Sequence, residues 1–221
     1  MKLPDTIAVM SLPNAVLFPQ AVMPLHIFEP RYRAMLKDAL RGDRMFSVAL
    51  MRGEPQPGQP EPEPFDVACV GIVRAAVTLA DGTANVLLQG LSRVRLTGFL
   101  EGKPYRLAVT EELPSSHTSC AQTKKLAAKV AELMDLRNAA RPSPVADSLK
   151  ALAKVNDPEV LADFSALLLL PGFRQKQEIL EAVDLRLRLR KLVRLFQSEI
   201  DQLKGQRQSS VMEPGQEFGS N

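Results

Sequence analysis

The chain has 221 residues, 45% hydrophobic and 24% charged, which fits a globular protein with a substantial buried core. Its net charge of +3 falls far short of the basic field of a typical nucleic-acid-binding domain, and residues 1–112 are electrically balanced. Two cysteines, Cys69 and Cys120, are too few and too far apart for a disulfide scaffold, and no apolar run is long enough to span a bilayer.

Only Lys2 precedes Asp5 at the amino terminus, with no apolar segment and no small-residue cleavage site, so a cytoplasmic location is expected. Thr6 to Leu12 has strand-like composition. Pro13, Pro19 and Pro24 then break an apolar run into turns, edge strands or packed loops, because proline fixes φ and supplies no amide donor. Phe28, Tyr32, Met35, Leu36 and Leu40 recur at helical intervals. Glu29 stands near the start of that helix, where its charge complements the helix dipole. Phe46 to Met51 reads as a strand. The stretch from Gly53 to Phe65, rich in proline and glutamate, reads as a solvated loop that cannot enter a sheet interior.

The clearest hairpin follows. Val67 to Leu79 and Thr83 to Gln89 flank Asp81-Gly82, a strong two-residue turn signal. Ser92 to Leu100 alternates Val94 and Leu96 against Arg93, Arg95 and Thr97, the pattern of a half-buried strand with a wet arginine face. Tyr105 to Glu111 alternates likewise. Short strands with tight connections and one early helix predict a small closed or nearly closed barrel.

Beyond Pro114 the pattern is helical. Ser119 and Gln122 have capping-box spacing ahead of a stripe of Leu126, Val130, Leu133 and Met134. A break at Asn138 to Pro144 precedes a short amphipathic segment, Ala146 to Val155. Asp157 and Pro158 supply an N-cap and a first-turn proline. Another helix covers Arg174 to Glu181, and a long one runs from about Asp184 to Leu203. Arg186, Arg190 and Arg194, with Arg188 and Lys191 beside them, form a basic stripe read as its solvated side. The polar residues from Gly205 to Asn221 read as a disordered tail. The expected class is therefore α+β, with a β-rich part over 1–114, a helical bundle over 115–204 and a tail over 205–221.

Three motifs in order carry a family resemblance. Leu12, Pro13, Val16, Phe18, Pro19, Pro24, Leu25 and Arg31 fit the opening of Lon protease amino-terminal domains. Val70, Gly71, Asp81, Gly82, Thr83, Val86, Leu87, Gly90, Leu91, Arg93 and Arg95 fit a second stretch, and Lys176, Gln177, Leu180 and Glu181 a third. The chain thus resembles the Lon amino-terminal, substrate-recognition domain over about residues 8–203. That resemblance implies a PUA-like barrel joined to a helical bundle. It also implies a noncatalytic module that binds exposed apolar or unfolded polypeptide, working with a separate protease or chaperone.

The residues offer no competing chemistry. Gly98, Gly102, Lys103 and Pro104 lack the spacing and the hydroxyl of a phosphate loop. His26, His117 and the two cysteines do not cluster at ligand spacing, and no GxSxG elbow occurs. No metal or cofactor and no enzymatic activity are expected. Phe18, Met23, Leu25, Phe28 and Arg31 are the candidate polypeptide-binding residues: most of the apolar ones are expected to fill the core and any left exposed to form a binding patch, while Arg31 is read first as a partner of Glu29 or of a loop carboxylate, with a peptide carboxylate as the alternative. A groove between barrel and bundle, or an open strand edge, would be further candidates. RNA binding, which PUA-like barrels permit, is the alternative, disfavoured by the balanced charge of the strand-rich half.

Overall fold

A computed structural model describes residues 2–142 and 144–211. Six strands and six helices alternate little: β1 (Thr6–Leu12), β2 (Val22–Ile27), α1 (Pro30–Arg41), β3 (Met45–Leu50), β4 (Val67–Thr78), β5 (Ala84–Leu100) and β6 (Arg106–Glu112) precede α2 (Ala121–Ala140), α3 (Ala146–Ala153), α4 (Pro158–Leu169), α5 (Phe173–Glu181) and α6 (Leu185–Val211). The chain is therefore α+β, as expected.

The sheet order is β2-β5-β4-β3-β1-β6, and an additional β5–β6 pairing closes it. Five strands thus form a ring of ladders, and β2 lies outside that ring along the first half of β5. β1 and β3 pair in parallel across the α1 crossover, while the other ladders are antiparallel. Ile7, Val9, Ala49, Val70, Val94 and Ala108 fill the interior of the ring. A larger core lies on its outer side, where Phe46, Val48 and Leu50 of β3 meet α1, Val16–Phe18 and the carboxy-terminal helices. Because β3 is covered on both faces, every one of its residues is buried.

β5 is one continuous strand of 17 residues, where the sequence suggested two. The break suggested at Gly90–Ser92 is a bulge: Gly71 pairs with Gly90, Val70 with Ser92, and Leu91 is skipped. The extra residue reverses which side chains face which core. Leu88 faces the outer core, whereas Val94 and Leu96 face the ring interior. Arg93, opposite Cys69, is thereby turned toward the helices and is only 2% exposed. Of the face expected to be wet, Arg95 and Thr97 are exposed and Arg93 is not.

Several helix boundaries follow local chemistry. Pro30 sits in the first turn of α1. The Asp157 carboxylate accepts from the amides of Glu159 and Val160, and Pro158 opens α4. At α2 the cap is Cys120, whose sulfur accepts from the Thr123 amide, rather than Ser119. α6 continues to Val211, so residues 205–211 are helical where a disordered tail was expected. The remainder of that tail, residues 212–221, lies outside the described residues.

The helices are fastened to the strands by buried polar groups. Arg93 reaches Asp163 of α4 at 2.5 Å and donates to the Leu180 carbonyl at 3.0 Å. Arg188 of α6, fully buried rather than solvated, meets the same carboxylate at 3.1 Å and donates to the Ala182 carbonyl at 2.9 Å. Burial pulls the Arg188 guanidinium below its ordinary pKa, and the Asp163 charge opposes that pull. Gln177 donates to the Val67 carbonyl of β4 at 2.8 Å. The guanidinium groups of Arg52 and Arg174 both lie over the Phe65 ring, 4.8 and 5.0 Å from its centroid.

Candidate functional site

The chain from Val16 to Arg31 holds all five residues singled out in the sequence, and the structure separates their fates. Val16, Leu17 and Phe18 turn inward. The turn is held by three backbone bonds: Ala21 donates to Phe18, Gly90 donates to Ala21, and Gln20 donates to Gly90. A Cβ on Gly90 would collide with the Phe18 carbonyl oxygen, which explains the glycine. Phe18 has no exposed surface and is a core residue, so it cannot be an exposed contact.

β2 then alternates. Met23, Leu25 and Ile27 point toward the core, the first two half-buried, whereas Val22, Pro24 and His26 point outward. Met23 and Leu25 are therefore on the wrong face for a principal contact. Phe28, beyond the strand, is 61% exposed and stacks beside the His26 ring with centroids 6.1 Å apart. His26 Nδ1 lies 2.8 Å from Asn85 Oδ1 across the ladder.

Arg31 is already occupied. It pairs with Glu29 at 2.8 Å and with both oxygens of Glu61, at 2.7 and 2.8 Å. The Glu61 carboxylate, foremost, pushes the guanidinium's pKa above its ordinary value. Arg31 also lies 4.4 Å from the centroid of Tyr32, whose hydroxyl burial pushes up to about 12. Its partner Glu61 belongs to the proline-rich loop, which Arg106 also grips through Glu63. Arg31 is thus a clasp for that loop, paired with Glu29 and with a loop carboxylate as the sequence favoured, and not an open carboxylate holder.

The exposed apolar surface lies instead across three strands. Pro24, Leu87 and Ala75 form one cross-strand row, and His26, Asn85 and Val77 the next. Val22, Leu87, Val77 and Phe28 are all exposed on this outward side, and Leu79 continues it at the hairpin end. At the turn, Gly82 takes φ +79, and Asp81 accepts from the Thr83 amide and hydroxyl. Beside these rows Arg74, skipped by the register shift between Val73 and Ala75, donates to Gln89 at 2.7 Å. Leu87 and Val77 were not among the sequence candidates, because they sit in a hairpin whose alternation shows which residues share a face but not which face is left uncovered.

β2 is an edge strand with Pro24 at its middle, and proline removes a donor from an edge. Recognition by added main-chain pairing is accordingly blunted there. The junction between strands and helices offers a cleft of about 230 Å³, lined by Gln20, Arg93, Glu112, Glu159 and Asp163. Arg93 and Asp163 of the buried cluster line it, and Ser115 donates to Glu159 while accepting from Arg188. These groups satisfy one another, so the junction serves as a fastening. Among the described residues no group of three or more His, Cys, Asp or Glu could hold a metal ion, and no helix is long and apolar enough to cross a membrane. Burial pushes the Cys69 thiol up to about 12, which leaves it inert.

The ATP-dependent protease La (LON) substrate-binding domain family matches residues 6–198. The chain belongs to that family. Among its relatives are the Lon protease of Syntrophus aciditrophicus, 30% identical over 96% of this chain, and that of Desulfosudis oleivorans, 28% identical over 92%. This chain spans 28% and 25% of those two proteins, about a quarter of their length. The amino-terminal domain of the Mycobacterium avium complex Lon protease has the same fold, with a TM-score of 0.69 at 19% identity, covering 87% of this chain and 98% of that one. A Lon amino-terminal domain protein from Xanthomonas campestris matches with a TM-score of 0.58 and 19% identity, over 85% and 96%. The three Lon-like motifs of the sequence map onto the features just described. The first forms the inward turn at Phe18 and the edge strand β2. The second forms the hairpin, the bulge and Arg93, and the third supplies Gln177 to β4.

Proposed function

We propose that this chain is a noncatalytic polypeptide-recognition domain, which binds exposed apolar segments of unfolded or partly folded proteins in the cytoplasm. The observation that carries the reading is the outward face of β2, β5 and β4, where Val22, Leu87, Val77 and Phe28 stand exposed together. Large apolar side chains gathered on one side of a sheet mark an interaction surface, since solitary ones would need no partner. The face is nearly free of charge, so it selects by apolar burial and tolerates many client sequences. In this account a separate protease or chaperone acts on the bound client.

The membership of the Lon substrate-binding family supports the same reading. RNA binding gains little from this face, beside which Arg74 is engaged by Gln89. Titration of the purified protein against a permanently unfolded protein and against RNA, at two salt concentrations, tests the proposal. Binding of the unfolded protein that changes little with salt supports it. RNA binding that collapses with added salt, together with no affinity for unfolded protein, contradicts it.

A further inference from the structure

A second surface adjoins the first around the end of the β4–β5 hairpin. Between α1 and that hairpin lies a groove of about 650 Å³. Leu36 and Ala84, both buried, and Ala34 and Leu40, half-buried, form its apolar floor. Arg33 and Lys37, one helical turn apart on α1 and both exposed, stand along one side. Thr78 and Gly82 stand on the other.

The charges of this groove are unbalanced. The side chains of Arg33 and Lys37 have no ion pair or hydrogen bond among the described residues. The neighbouring carboxylates are committed elsewhere: Asp38 accepts from Lys103 and Tyr105, each at 2.8 Å, and Asp81 is turned back onto Thr83. The Arg33 guanidinium lies over Gly82, in the space where any other residue would carry its Cβ. The fold thus places a cation against the hairpin turn without giving it a partner. This differs from Arg31, two residues earlier, which carries two internal carboxylates.

We infer that this groove holds client segments in which apolar side chains are interspersed with carboxylates. The inference rests on the polypeptide-binding reading above and adds a charge preference that the uncharged sheet face cannot supply. Apolar side chains of the segment cover Ala34, Leu40 and Ala84, and a carboxylate pairs with Arg33 or Lys37 at the rim. Such rim pairs give selectivity and a faster encounter more than raw affinity, and salt weakens them.

The test uses three short labelled peptides of identical Leu and Phe content, interspersed with Glu, Gln or Lys, and fluorescence anisotropy at low and high salt. The Glu peptide should bind about two- to fivefold more tightly than the Gln peptide at low salt, the Lys peptide most weakly, and the spread should narrow at high salt. The double variant R33E/K37E, altered at two exposed positions, should invert that order. Equal binding of the Glu and Gln peptides by the native protein overturns the inference, as does an unchanged order in the variant. A change in self-association of the variant, seen by sedimentation without any change in peptide preference, also overturns it, because the groove would then seat a second copy. If no peptide and no unfolded protein binds at all, the broader proposal fails too. Charge-blind binding that is lost on substituting Leu87 and Val77 removes only the groove.

Discussion

Arg93 on β5 and Asp163 on α4 meet at 2.5 Å, each only 2% exposed, and Arg188 on α6 shares the same carboxylate. Asp163 therefore holds two buried cations from the strand layer and the last helix, with the part-exposed Glu159 farther off at 3.7 and 3.6 Å. Buried ion pairs contribute little net stability over a well-packed apolar substitute, but removing one partner strands the others.

Asp163→Ala should destabilise the protein by about 3–5 kcal/mol, because both guanidinium groups lose their shared carboxylate. Urea denaturation followed by far-ultraviolet circular dichroism measures this directly. A loss below about 1 kcal/mol would match an exposed pair and contradict the burial described here.

Two glycines should respond differently to alanine. At Gly90 the new methyl group meets the Phe18 backbone, which cannot swing aside, so Gly90→Ala should cost about 3 kcal/mol or more. At Gly82 it meets only the end of the Arg33 side chain, leaving the strain of a positive φ, about 1–2 kcal/mol. Thermal melts of the two variants decide the order, and an equal or inverted cost would contradict it.

The features written in local chemistry were legible in the sequence. Thr6–Leu12 has the composition of a strand, Asp81-Gly82 makes the hairpin, and Asp157-Pro158 starts α4, each for reasons contained within a few residues. Arg93 was not legible. Its strand alternates without interruption, and the bulge that turns it inward is set by the carbonyl of Phe18 approaching Gly90, more than 70 residues away in the chain. Arg188 was hidden for the same kind of reason, since a leucine–arginine alternation on a helix does not show which arginine has a carboxylate waiting. For the candidate site, the proline-broken run was legible as turn and edge strand, but which of its apolar side chains are core was not: the structure buries Phe18 and exposes Phe28, which lies ahead of α1 rather than within its periodic stripe.

Phe18 and Phe28 offer a direct contrast. Phe18→Ala should lose about 3–5 kcal/mol of stability. Phe28→Ala, at a side chain that is 61% exposed, should melt within a degree or two of the native protein while losing affinity for unfolded polypeptide. Calorimetry with a parallel binding assay separates the two. A large loss of stability in the Phe28 variant would contradict its exposed placement.

The two thiols should also differ. Burial holds the Cys69 proton to about 12, while the unfolded chain releases it near the ordinary 9.0. The unfolded state therefore binds fewer protons above that value, and this group's contribution to stability falls as pH rises from about 9 toward 12. Hydrogen bonds from Thr123 instead lower the Cys120 pKa. A colorimetric thiol reagent at mildly alkaline pH should modify Cys120 in the native protein and Cys69 only after unfolding. Prompt reaction of both thiols without denaturant would contradict the burial of Cys69.

The central claim is that the outward face of β2, β5 and β4 grips polypeptide through apolar burial. Its most direct measurement is the affinity of the double variant L87T/V77T for a permanently unfolded protein, with stability monitored in parallel. Both substitutions keep strand propensity and remove exposed apolar surface. The account predicts an unchanged fold and an affinity at least about tenfold weaker, as expected when roughly 1.4 kcal/mol of apolar contact is lost. A variant that folds normally and binds unfolded protein as tightly as the native chain would contradict it.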